Sequence, residues 1–189
     1  MEEFVDRDQR KQKLTRLPGQ VGLGEIDDGI SNVPSREEII NEAFKLHSQG
    51  QILKAAEYYK YFIDLGFEDC RVFSNFGIIL KSLGNLQQAE IYQRKAIELK
   101  PDFAEAYSNL GNILSDLGKL KEAELSHRKA IEIKPDYAEA HYSLSLLKYS
   151  DKNVKWRDQL FSESILNNQS QKDQINIYFA RANVLHKEK

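Results

Sequence analysis

After Pro34 the pattern of the chain is helical. Leu, Ile, Ala, Glu and Lys recur at helical spacing, and no stretch alternates long enough to read as a strand. Laid on itself at a shift of 34, the sequence matches clearly. NLQQAEIYQRKAIELKPDFAEAYSNLGNIL begins at Asn85, and KLKEAELSHRKAIEIKPDYAEAHYSLSLLK begins at Lys119. Gly77/Gly111, Gly84/Gly118, Ala89/Ala123, Ala96/Ala130 and Pro101/Pro135 are all 34 apart, and a weaker copy starts upstream, with Gly50 and Ala55 in register. A fixed period of this length predicts a solenoid of helical hairpins.

Each interval has a mechanical reading. Small residues (Ala43, Gly77, Gly111, Ser145) sit in the first helix, A, where the second, B, must approach closely. Gly50, Gly84 and Gly118 close helix A, at a place where a left-handed backbone favours glycine. Ala89 and Ala96, like Ala123 and Ala130, lie seven apart on one helical face and permit tight packing. Pro101 and Pro135 then end helix B.

The set Tyr107, Leu110, Gly111, Leu114, Gly118, Ala123, Ala130 and Pro135 resembles the tetratricopeptide repeat. Phe73, Phe76, Gly77, Leu80, Gly84, Ala89, Ala96 and Pro101 repeat it one period earlier. The first copy departs, with Glu42 at the leucine position, Phe62 at the second alanine and Phe67 at the proline, as suits an end repeat facing solvent. Gln93 and His127 stand where the family favours an aromatic, and are expected to loosen their helix pairs. The resemblance implies an all-α fold, a right-handed α-solenoid of antiparallel helix pairs. Repeats are expected over 36–69, 70–103 and 104–137, within an array spanning 35–150 whose fourth repeat starts at 138.

Residues 151–189 read as degenerate helices of the same kind. The amphipathic stretch 154–166 places Arg157 where an alanine belongs, and 175–187 reads as a further helix A with Ala182 as its small residue, 37 after Ser145. That helix would leave Ile175, Tyr178 and Leu185 uncovered, as in a cut longer parent or a self-associating face. At the other end, four of the ten glycines and two of the four prolines precede residue 35, so 1–34 is expected to be a disordered leader with a transient helix near 7–14.

Composition narrows the function classes. Of 29 acidic and 27 basic residues, the leader holds seven and five, leaving 22 of each in the rest of the chain. This balance argues against a nucleic-acid-coating protein. No apolar run approaches the roughly 20 residues of a membrane helix, and the first twenty residues lack a secretory signal. A soluble, cytoplasmic protein is expected, with no nucleic-acid or membrane partner. Cys70 is the one cysteine, so no intrachain disulfide forms. GQVGLG at 19–24 follows no strand and leads into no helix, and His47, His127, His141 and His186 show no metal-ligand spacing. Glu90/Arg94 and Glu124/Arg128 are i,i+4 surface pairs. No catalytic constellation is present, and neither enzyme activity nor a cofactor is expected.

The resemblance implies a concave groove lined by helix A. Its sixth position gives Asn41, Asn75 and Asn109, then Ser143, and its ninth adds Phe44, Ile78 and Asn112. A ladder of amides can donate to and accept from an extended peptide backbone, and it resembles the groove of the repeat domain in O-linked N-acetylglucosamine transferase. The alternative is that these amides cap contacts between repeats. Lys81, Asp116 and Tyr142 complete the expected groove, beside Ile40, His47, Ser74, Ser108, Ser115, Leu146 and Tyr149. Lysine is missing at the fifth position of every repeat, so the family's carboxylate clamp for chaperone tails is not reproduced. Two functions follow: a scaffold binding an extended protein segment, or the recruiting front of a longer sulfotransferase or glycosyltransferase like the long repeat proteins of cyanobacteria and other bacteria.

Overall fold

The structure, a computed structural model, describes residues 34–147 and 154–187. Apart from Pro34, the leader and its transient helix lie outside them, as does Tyr149. Six helices form three antiparallel hairpins: α1 (Arg36–Ser48) with α2 (Ile52–Asp64), α3 (Cys70–Ser82) with α4 (Leu86–Leu99), and α5 (Ala104–Asp116) with α6 (Leu120–Ile133). Each hairpin packs on the next, giving a right-handed all-α solenoid. Among the described residues there is no strand, and no helix is long and apolar enough to cross a membrane.

Local chemistry sets the helix ends. Ser35 and Glu38 form a reciprocal capping box at the start of α1, and the Asp69 carboxylate accepts the Arg71 N–H at the start of α3. At the end of α3, Gly84 takes a left-handed φ of +79°, Asn85 N–H donates to Leu80 C=O at 2.8 Å, and Gly84 N–H donates to Lys81 C=O at 2.9 Å. Gly118 repeats this closure after α5 with φ +75°. The two bonds satisfy carbonyls that the helix leaves orphaned and turn the chain into helix B.

The core runs along the hairpin seams. Ala89, Ala96, Ala123 and Ala130 are fully buried, so the small faces of α4 and α6 meet their partners closely. The first hairpin keeps the buried Ala55 but has Phe62 at the second alanine, fully buried beside Tyr59.

The C-terminal third departs from the period. α7 (Ala138–Leu146) ends at its C-cap Leu147. The expected helix over 154–166 is a short α8 (Val154–Phe161) followed by a 3₁₀ turn, Glu163–Leu166. It does not pair with α7 as a B helix would. The long α9 (Gln171–Lys187) instead packs along α7 as closely as α2 packs on α1. Tyr142 meets Phe179, Asn183 Nδ2 donates to Ser145 Oγ at 3.1 Å, and Lys187 Nζ donates to the carbonyls of Ser145 and Leu147. The order of these contacts makes α7 and α9 parallel. Ala182 is exposed, not the close-packing small residue. Ile177, Ala180 and Val184 are buried in its place. Ile175, Tyr178, Phe179 and Leu185 are 48–58% exposed on the outer side.

Candidate functional site

Helices α1, α3 and α5 line a hollow of about 630 Å³, with Phe103 and Tyr137 from the joints between hairpins also in its wall. Six of the expected groove residues meet there: Phe44, His47, Ser74, Asn75, Ile78 and Asn109. Lys81, Asn112 and Asp116 lie apart, in a second hollow of about 180 Å³ that also holds His127 and Ser143. Within it, Lys81 and Asp116 bridge α3 and α5 at 2.9 Å. Asn41 is exposed and lines neither hollow, and Tyr142 meets Phe179 edge-on. Ile40, Ser74 and Ser108 are buried, so they support the wall more than they face a ligand.

The amides of the hollow are held in place by the scaffold. Asn75 Nδ2 donates to the Tyr59 hydroxyl at 3.2 Å, and that hydroxyl lies 3.0 Å from His47 Nδ1. The O–H that accepts from Asn75 can donate to His47, so a short relay ties α3 to α2 and α1. Burial pushes the Tyr59 hydroxyl up to about 12, so it keeps its proton. Asn109 Nδ2 donates to Ser74 Oγ at 3.3 Å across adjacent repeats. The inter-repeat role weighed for these asparagines is therefore real. Each bond uses one N–H and leaves the amide carbonyl and the other N–H for a further partner.

Ser74 is fixed from behind. Gln93 is fully buried, its Nε2 donates to Ser74 C=O at 2.8 Å, and its Oε1 accepts from Ser74 Oγ at 3.0 Å. Gln93 does not loosen its hairpin as expected. It replaces aromatic packing with two buried hydrogen bonds that stitch α4 to α3. His127 occupies the same slot one repeat on, and burial lowers its imidazole to about 4, so it is neutral.

Several lining residues were not singled out from sequence: Tyr59, Arg71, Phe103 and Tyr137, with Glu105 and Glu139. The signal existed. Glu105 and Glu139 are second positions of helix A, and Phe103 and Tyr137 fall at the same place in successive PDFAEA/PDYAEA joints. Among the described residues, no group of three or more His, Cys, Asp or Glu could hold a metal ion.

Residues 71–103 and 104–137 each match a family model described as tetratricopeptide repeat. No curated protein matches the chain. Among solved structures, MamA aligns at TM-score 0.59 and 20% identity, covering 84% of this chain and 83% of that one. The first repeat domain of Spaghetti (RPAP3), bound to the HSP90 peptide SRMEEVD, aligns at TM-score 0.54 and 24% identity, covering 58% and 86%. An O-GlcNAc transferase mutant of Thermobaculum terrenum aligns at 0.55 and 24%, covering 59% of this chain and 21% of that one. At these identities the likeness is one of fold.

Proposed function

Since the chain is a tetratricopeptide-repeat protein, we propose that it is an interaction scaffold that holds an extended segment of another protein in its concave hollow. The observation that carries this is the pair Asn75 and Asn109. They lie one repeat apart, face one hollow, and are anchored on one side to Tyr59 and Ser74. A pre-oriented amide loses little rotamer freedom on binding, and the spacing suits a backbone that needs donors and acceptors at intervals. Phe44 and Ile78 offer apolar contact beside them. In this reading Lys81, Asn112 and Asp116 form an outer stretch of the same face, with Asn41 and Tyr142 at its margins.

The test is selection from a displayed library of random peptides, run with the unaltered chain and with Asn75→Ala/Asn109→Ala. Peptides enriched by the unaltered chain and not by the variant support the reading, provided circular dichroism shows the variant helical. Equal enrichment by both, or none by either, overturns it.

A second reading makes the solenoid the recruiting part of a longer transferase. Its support is the O-GlcNAc transferase neighbour, of which the chain covers 21%. Transferase-coding sequence in frame beyond Lys189 in the gene would bear this out, and a stop codon there would end it.

A further inference from the structure

We propose that the end of the hollow formed by Glu105, Glu139, Phe103 and Tyr137 selects a basic side chain, Arg or Lys, in the bound segment. The inference rests on the peptide-binding reading above and adds the charge of the ligand.

The charges around the hollow decide its sign. Three charged residues line it: Arg71, Glu105 and Glu139. Arg71 is already committed, its guanidinium donating to both carboxylate oxygens of Asp69 at 3.1 and 2.9 Å while lying over the Phe44 ring. Among the described residues, neither Glu105 nor Glu139 forms an ion pair. The uncompensated charge of the hollow is therefore negative, and it is concentrated at the α5–α7 end.

Both carboxylates line the same hollow as the Tyr137 ring. The Tyr137 hydroxyl is held above its ordinary range first by burial, then by the nearby charges of Glu139 and Glu105. Phe103 and Tyr137 set aromatic surface beside those charges, and both rings already attract cations. Lys100 Nζ lies 5.2 Å from the Phe103 centroid, and Lys134 Nζ lies 5.0 Å from the Tyr137 centroid. Neither lysine lines the hollow. Aromatic faces flanked by carboxylates that lack an ion-pair partner favour a cation that can shed part of its hydration, and a guanidinium does so more readily than an ammonium.

The same geometry disfavours an acidic ligand. The peptide SRMEEVD, bound by the Spaghetti (RPAP3) domain, carries three carboxylate side chains against one arginine. In this hollow such a tail would face two carboxylates without a cationic partner and a single, already paired arginine. Like charges in a partly desolvated groove oppose binding, and this discriminates between partners more strongly than it changes raw affinity.

The experiment uses the same displayed random library, selected with the unaltered chain, with Asn75→Ala/Asn109→Ala, and with Glu105→Gln/Glu139→Gln. The expected result is a several-fold enrichment of Arg or Lys at one position for the unaltered chain, lost with the Gln variant while other preferences persist. Synthetic peptides from that selection, with the basic residue changed to Gln or Glu, should then bind at least about tenfold more weakly in fluorescence polarisation. Enrichment without a basic preference, or with an acidic one, overturns the charge assignment and leaves the groove reading standing. No enrichment over the Asn variant overturns both.

Discussion

The imidazole of His127 lies directly over Gly111: a Cβ built on that glycine would fall 2.6 Å from both Cε1 and Nε2 of the ring. One repeat earlier the same pair is Gly77 and Gln93, where the Cβ would meet Nε2 at 2.8 Å. The small residue of helix A and the large residue of helix B are thus one packing unit, repeated along the solenoid. Gly111→Ala should destabilise the protein by about 1–3 kcal/mol through overpacking, despite the roughly 1 kcal/mol that alanine gains in a helix interior. Urea unfolding followed by circular dichroism measures it. If the midpoint rises, the ring is not packed as described. Adding His127→Ala should recover part of the loss, since residues in contact are not additive.

Acid should destabilise the fold in a defined window. His127 and His141 are both buried and held neutral, at about 4 against an ordinary 6.5. His141 donates from Nε2 to Pro135 C=O at 2.9 Å and accepts on Nδ1 from Trp156 Nε1–H at 3.0 Å, so a second ring proton would face a donor. Because the folded values are depressed, the unfolded chain binds more protons between them. The histidine contribution is then complete above pH 6.5, falls as pH drops from 6.5 toward 4, and levels off below. Each histidine contributes at most about 3 kcal/mol to this slope. Unfolding midpoints at pH 7.5, 5.5 and 4.5 test it. A flat profile would show that neither imidazole is buried neutral.

His127→Gln separates the two sites. Gln93 fills the corresponding slot and pairs with both polar atoms of Ser74, and Ser108 stands 34 residues after Ser74. The substitution should therefore be tolerated within about 1 kcal/mol at neutral pH and should remove roughly half of the acid slope. A variant that keeps the full slope would assign the whole effect to His141.

Sequence pattern carried the three hairpins because their determinants are local and periodic. Glycine closures, buried alanines and joint prolines each act within one repeat, so a shift of 34 exposes them. Two features were hidden. Gln93 reads as a polar misfit until its partner Ser74 is seen 19 residues back on the facing helix, and a family preference for an aromatic says nothing of that bond. The placement of α9 was equally opaque. Ala182 and Ala180 are both small, and only contacts such as that of Asn183 with Ser145 fix which face turns inward. In the hollow, one asparagine register was legible, whereas the pairing state of Glu105 and Glu139 depends on what surrounds them in three dimensions.

Gly118→Ala probes the helix closure. With φ at +75° and open space around the missing Cβ, the cost is purely conformational. It should be about 1–2 kcal/mol, with the binding selectivity of the hollow unchanged. Thermal unfolding reads it, and an unchanged midpoint would mean that the turn relaxes into another conformation.

Tyr59→Phe links fold to function. The ring is fully buried and packs edge-on against Phe44, so phenylalanine keeps its volume and its apolar contacts. The lost hydroxyl leaves His47 Nδ1 and the Asn75 amide without the partner they share, at a cost of about 1 kcal/mol. Asn75 is then free to rotate, and a ligand must order it on binding at about 0.5–1.5 kcal/mol. Peptides selected by the unaltered chain should therefore bind Tyr59→Phe about 2- to 10-fold more weakly, with the ellipticity of the folded protein unchanged. Adding Asn75→Ala to Tyr59→Phe should weaken binding little more than Asn75→Ala alone, because the hydroxyl acts through that amide. Fully additive losses would mean that Tyr59 touches the peptide itself.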